Sequence, residues 1–396
     1  MSEERVNVYL DCNRCDRDFI RQEIDYVNYV RDRQDADIHL FITTQNTGSG
    51  GTEYELNFIA SGRYADTGTI LTYSSSGTDS DDQRREGLKR TIEIGLMPAL
   101  SLTPLGSSIR LSVERPETQV VQAPLVDPWR NWVFRIGTDA EVQGESSQRS
   151  LELGGNFSAT KTTDEWKVRL SFNGDYERRE YDISDETRVY TSEEGAISGM
   201  VANSLGDHWS IGAFGEANTS SFENTNFSME YSPAIEYNLY PYSESSRREF
   251  RFTYHLNIRY FEYADTTIFN KTQETRLHQS LGASYEIQQP WGSANFSVTG
   301  SHYLHDTSKY RVDVFARFEI QIVRGLSFDV FGRVSRRQDQ LYISKEELDE
   351  GDIYLGFTDL ATEWDYSVRT GISYRFGSIF NNVVNSRFGN GGGRGF

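Results

Sequence analysis

From Trp129 onward the chain alternates apolar and polar residues with a period of two, in runs longer than those of ordinary soluble sheets. In one run Phe250, Phe252, Tyr254, Leu256, Ile258 and Tyr260 share a parity, with Arg251, Thr253, His255, Asn257 and Arg259 on the other. In another, Trp364, Tyr366, Val368, Thr370, Ile372, Tyr374 and Phe376 interleave with Asp365, Ser367, Arg369, Gly371, Ser373 and Arg375. The runs are about 12–15 residues long, against a mode of ~5–6 in soluble sheets. A tilted strand crosses a bilayer in ~9–11 residues. A soluble sandwich shares the alternation but seldom the length. Twelve runs are present, at about 130–143, 149–161, 165–178, 190–205, 208–219, 226–239, 248–263, 274–288, 293–304, 310–323, 326–337 and 362–376. The expectation is a 12-stranded antiparallel transmembrane β-barrel over 126–376. Its even strand number would leave both of its ends on the periplasmic side.

Composition agrees. No stretch approaches the ~18 consecutive apolar residues of a transmembrane helix, and only 37% of the 396 residues are apolar. A barrel hides its apolar band in alternation and so scores as hydrophilic. Aromatics reach 13%, too many for a disordered chain. The net charge of −19 argues against a nucleic-acid partner, which wants a basic surface. Connections should be short on the periplasmic side. Thr162–Asp164, Gly206-Asp207, Gln289–Gly292 and Arg324-Gly325 are short, and 240–247 is longer. The stretches 179–189, 264–273 and 338–361 read as outer loops. Trp129, Trp132, Trp166, Trp209 and Trp291 fall at expected periplasmic strand ends and Trp364 at an outer end, as in an interfacial aromatic girdle.

Residues 1–125 read differently, as a mixed α/β periplasmic domain in the order β-α-β-β-β-α. Val6 to Leu10 alternates. Asp16 or Asp18 caps a helix expected to run to about Arg33 on the stripe Phe19, Ile20, Ile24, Val27 and Val30. Strands are expected at 38–43, 54–60 and 69–73. A long helix from about Asp81 to Leu96 would be ended by Pro98. This order resembles the amino-terminal domain of the periplasmic TolB protein. The terminal run carries a second resemblance. Arg369-x-Gly371-x-x-Tyr374-x-Phe376 is similar to the signal with which bacterial outer-membrane barrels address the barrel-assembly machinery. It departs from that pattern in being followed by a Gly- and Asn-rich tail, 377–396, expected to be flexible. More loosely, the chain resembles the salt-induced outer-membrane proteins. These likenesses imply an exported protein of the bacterial outer membrane. Its leader is absent from this sequence, which opens Met1-Ser2-Glu3-Glu4.

Chemistry-bearing residues are few. Cys12-Asn13-Arg14-Cys15 reads as a local disulfide before a redox pair or half a zinc site, for which two further ligands are wanting. His302 has outward parity, as a lipid-facing catalytic histidine would, but no serine occupies a matching outward position on the adjacent strands. No enzyme and no cofactor are expected. The acidic stretch 344–352 lacks the spacing of a calcium loop. The inward parity is dense in both signs: Glu216, Glu230 and Glu236, then Arg251, Arg259, Arg276, Arg311, Arg317, Arg333, Arg337, Arg369 and Arg375, with Asp313, Glu319, Asp329 and Asp365 among them. Such a lumen either pairs across strands into a plug or forms a narrow channel for small polar or anionic solutes. The alternative is a non-conducting barrel that anchors the periplasmic domain. Expected partners are outer-membrane lipid, the assembly machinery and a periplasmic protein that binds 1–125.

Overall fold

In the computed structural model, residues 5–48, 50–110, 127–183, 186–221, 223–345 and 363–380 are described. The N-terminal sheet contains β1 (Asn7–Cys12), β2 (Asn28–Tyr29), β3 (Ile38–Asn46), β4 (Thr52–Ala60) and β5 (Thr69–Ser74). Their order is β2-β1-β3-β4-β5, parallel around β1 and antiparallel from β3 to β5. Helices α1 (Arg17–Glu23) and α2 (Asp81–Leu100) supply Ile20, Leu88, Ile92 and Leu96 to a core with Val8, Leu10, Ile38, Leu40, Leu56 and Phe58. A capping box between Ser80 and Gln83 starts α2. At Gly95 the helix lies so close to the sheet that a Cβ would fall 2.1 Å from the Phe58 ring.

Two expectations for this region are corrected. The helix from Asp16 stops at Glu23, capped by the Asp16 carboxylate. The stretch that continues its apolar stripe becomes β2, parallel to β1. Val27, Tyr29 and Val30 are buried either way, so a stripe of five apolar residues could not separate a helix from a turn and a strand. Nor does Pro98 end α2. It sits in the last turn, and burial of Ala99 and Leu100 holds the helix to Leu100.

The second region is one antiparallel sheet of twelve strands, β6 (Trp132–Gly144), β7 (Gln148–Thr162), β8 (Trp166–Ile183), β9 (Glu186–Ser204), β10 (Trp209–Ser220), β11 (Thr225–Asn238), β12 (Arg248–Tyr263), β13 (Gln273–Gln289), β14 (Gly292–Tyr303), β15 (Tyr310–Val323), β16 (Leu326–Arg337) and β17 (Trp364–Tyr374). Every strand pairs with its chain neighbour, so the order is a meander. Two points differ from expectation. First, the sheet is not closed: β6 and β17 are its edges and each has a partner on one side only. Each neighbouring pair is joined by the chain that runs directly from one strand to the next, whereas the first and last strands have no such direct connection. Second, 179–189 is not an outer loop. The β8–β9 ladder continues through Arg179↔Tyr190 to Ile183↔Glu186. Alternation is lost there because both faces are polar, yet backbone pairing needs no alternation. The loop 338–361 is described only to Lys345, and Ser344 bridges to Thr267 in the loop 264–273.

Burial in this sheet is reversed. Along β12 the apolar Phe252, Tyr254, Leu256 and Ile258 are exposed, while Thr253, His255 and Arg259 are half-buried and Asn257 is buried. Elsewhere Ile136, Leu281 and Ile372 are 80%, 62% and 74% exposed, while Ser228, Ser232 and Ser335 are 1%, 4% and 0% exposed. The apolar faces thus look out from the protein and the polar faces look in.

Candidate functional site

Two places concentrate polar chemistry: the inner face of the large sheet and the junction with the N-terminal domain. Cross-strand register puts all the expected inward charges on that one face. Glu216, Glu230, Arg259 and Arg276 stand in one row. A second row runs Glu236, Thr253, Gly282, Thr299, Asp313, Ser335, Asp365. Arg251, Arg311, Arg317, Arg333, Arg337, Arg369 and Arg375 share the parity of the second row. Some of these charges pair: Glu236 with Arg251 at 3.9 Å, Glu230 with Arg259 at 3.8 Å, Arg311 with Asp313 at 2.8 Å and Arg337 with Asp365 at 3.3 Å. Arg276 pairs with Glu274, its neighbour two residues back. Arg317, Arg333, Arg369 and Arg375 make no ion pair among the described residues. Between the charges at the short-turn end lies a cavity of about 520 Å³, lined among others by Lys167, Glu236, Tyr242, Glu249, Arg251 and His255.

One constellation went unread in the sequence. Glu141, Glu152 and Glu177 stand directly opposite one another on β6, β7 and β8. In the adjacent row Asp139 and Asp175 flank Gly154, and Glu194 follows on β9. Like charges in register repel, so this acidic sector costs the sheet stability where it stands. The parity of each carboxylate was visible in its own run, but only the register brings them together. The inner face therefore has an acidic sector on β6–β9 and an arginine-rich one on β15–β17.

The expected girdle residues lie at strand ends. Trp132, Trp166 and Trp209 open β6, β8 and β10, Trp129 precedes β6, and Trp291 sits in the β13–β14 turn. Trp364 opens β17 at the opposite end, where Arg336 lies 5.0 Å over its ring. In the terminal motif, Tyr374 and Phe376 stack at 5.6 Å with exposed rings, and Gly371 lies under the Asp329 carboxylate. His302 does face outward, and its partner is Gln279 at 2.8 Å rather than a serine. Cys12 and Cys15 are disulfide-bonded, with Cα atoms 5.9 Å apart. No group of acidic, histidine or cysteine side chains suited to a metal occurs among the described residues.

The junction was not foreseen. The sheet face of the N-terminal domain opposite its helices carries His39, Phe41 and Thr43, at 7%, 3% and 1% exposure. This face meets the short-turn end of the large sheet. Asp32, 2% exposed, accepts hydrogen bonds from the Gly325 amide at 2.9 Å and from Gln321 Nε2 at 3.4 Å. Arg324, in the same β15–β16 turn, pairs with Asp35. Arg247, before β12, pairs with Glu55 on β4. Near β6, a Cβ placed on Gly50 would lie 3.8 Å from Val133, and one on Gly48 would overlap Thr162. Beyond β17, the amide of Arg31 donates to the Ile379 carbonyl at 2.8 Å, and Val30 bridges Phe380. The start of the tail expected to be flexible thus forms an isolated antiparallel bridge just beyond β2. The domain touches both ends of the open sheet and turns between them. A cleft of about 230 Å³ remains between Asp11, Arg17 and Arg31 on one side and Gln289, Glu319 and Arg375 on the other. Tyr9 borders it, its hydroxyl pushed up to about 12 by burial and then by Asp11.

Asp32 and Glu55 carry no motif. The one signal available was Phe41, an apolar side chain on the face of β3 opposite Ile38, Leu40 and Ile42; in the structure β3 is buried on both faces. A strand buried on both sides needs a second covering layer.

No curated protein matches the chain. The match to a family model begins inside β6 and ends beyond β16, so it covers neither the N-terminal domain nor β17. That model, described as "Protein of unknown function, DUF481", covers residues 136–350, more than half of the sequence, and the chain belongs to this family.

Proposed function

We propose that this protein is a bacterial outer-membrane β-barrel whose N-terminal domain sits in the periplasm and caps the short-turn end. The single observation that carries the reading is the reversed burial of the twelve-stranded sheet. Exposing Ile136, Leu281 and Ile372 to water is unfavourable by ~25 cal/mol per Å² of apolar surface; in a bilayer the same faces are solvated. Tryptophans at the strand ends suit the interfaces. The polar inner face and its cavity support a narrow path for small polar or anionic solutes, with Arg317, Arg333 and Arg375 offering unpaired cation heads. The cap across the turn end and the ion pairs of the inner face favour a conductance that is low until the cap moves. The second reading, a non-conducting anchor for a periplasmic interaction domain, draws on the same cap.

The test is planar-bilayer conductance of the full chain beside the double variant Asp32→Ala, Arg324→Ala, each first shown by fractionation to reside in the outer membrane. Anion-preferring conductance that rises when the clasp is removed is the expected result. Silence from both leaves the anchor. Absence from the outer membrane overturns the barrel.

A further inference from the structure

The two free edges have a specific partner, each other, and the residues on them restrict the register in which they can meet. This inference rests on the membrane reading, because a spanning sheet has no water to satisfy an open edge and must close. We propose that β6 and β17 pair antiparallel with Asp139 opposite Arg369.

Parity is the first restriction. Trp132, Phe134, Ile136 and Val142 face outward on β6, and Tyr366, Val368, Ile372 and Tyr374 on β17. Odd shifts would set an apolar face against a polar one.

Strand tilt is the second. Hydrogen-bonded partners connect Arg135 on β6 through Ser158, Ser171, Ser198, Glu216, Glu230 and Arg259 to Arg276 on β13. Asp365 on β17 is at the level of Gly282 on β13, six residues nearer the turn end. Asp365 is therefore level with residue 129 of the β6 strand line. The proposed register sets it opposite Gln143, a stagger from 129 to 143, or 14 residues around the sheet. With a rise of ~3.3 Å and a strand spacing of ~4.8 Å, twelve strands then tilt by about 39°. Barrels tilt by roughly 35–45°. Staggers of 10 or 18 would give about 30° and 46° by the same geometry and fall outside. Staggers of 12 and 16 remain.

Charge separates the last three. The stagger of 12 sets Asp365 against Glu141, and the stagger of 16 sets Arg375 against Arg135. Like charges directly opposite are destabilising. At 14 no like charges oppose within β6 and β17, and the one like pair, Glu145 with Glu363, falls just beyond the outer ends of the two strands, whereas 16 also sets Asp365 against Glu145. Asp139 meets Arg369, and neither has an ion pair among the described residues. Gly137 meets Gly371, Ile136 meets Ile372, Phe134 meets Tyr374 and Trp132 meets Phe376. Closure also brings the acidic sector of β6–β9 beside the arginines of β15–β17. The N-terminal domain already holds both edges, at Val133 and beyond β17.

The test uses the full chain in outer membranes, with the Cys12–Cys15 disulfide intact. Thr138→Cys is combined in turn with Thr370→Cys, Val368→Cys and Ile372→Cys, and the membranes are oxidised. Crosslinking within one chain, several-fold stronger for 138/370 than for 138/368 or 138/372, is the expected result. A maximum at either offset pair, a crosslink only between two chains, or no crosslink overturns the register. Fractionation of the unmodified chain is read separately. If that chain is absent from the outer membrane, the membrane reading fails, whatever the crosslinks show.

Discussion

The two halves of this molecule solve the same problem in opposite ways. In the N-terminal domain, Leu56, Phe58, Ile92 and Leu96 are each at most 1% exposed, and the buried polar residues are few, Asp32, His39 and Thr43 among them. In the twelve-stranded sheet, Leu281 is 62% exposed and Ser335 fully buried. The polypeptide chemistry is the same in both. Under the proposed reading, the difference teaches that each half is built for a different solvent, water for the first and lipid for the second. The junction between them is then held by charge: Asp32, Asp35 and Glu55 face Arg324, Arg247 and the Gly325 amide.

The contrast can be broken most forcefully in the first core. Leu96→Ala should cost ~2–5 kcal/mol, the usual penalty for truncating a buried leucine. Chemical denaturation followed by the fluorescence of the N-terminal domain's tyrosines measures it, and the twelve-stranded sheet should keep its heat-dependent gel mobility. Leu281→Arg probes the other half. In a bilayer it should destabilise by ~2–4 kcal/mol, as cations on a lipid-facing barrel surface do near the midplane. A loss within ~0.5 kcal/mol, the ordinary result for a water-exposed position, would show that this face meets water and that the contrast of solvents is wrong.

The junction should respond less. Asp32→Ala leaves the Gly325 amide without its acceptor, and an unsatisfied buried donor costs ~1–3 kcal/mol. Proteolysis of intact membranes should then release the N-terminal domain faster, with the sheet unaffected. The smallest effect belongs to Glu55→Gln. Its pair with Arg247 is partly exposed on both sides, so ~0–1 kcal/mol is expected. The effect should vanish in molar salt, because the Debye length there is ~3 Å. Unchanged salt dependence in that variant would mean the clasp is not electrostatic at this turn.

Much of this was legible in the residues. A period of two sustained over some dozen positions identifies a strand wherever its two faces meet different surroundings, and so the twelve strands and the inward parity of Glu230, Arg259 or Arg369 could be read directly. Where both sides of a strand meet similar surroundings the signal fails. Arg179 to Asp182 reads as a loop because it is polar on both faces, yet it extends β8. Val27 to Val30 reads as helix because its burial suits either structure, yet it forms β2 and its flanks.

The sequence by itself determined which side chains share a face, since that depends only on backbone period and on the solvent each face prefers. Tertiary structure alone decided which faces oppose one another. The row Glu141–Glu152–Glu177, the clasp at Asp32 and the bridge between Val30 and Phe380 all join residues far apart in the chain. Local periodicity carries no information about such pairs. They are selected by register, twist and the cost of leaving backbone groups and charges unpaired.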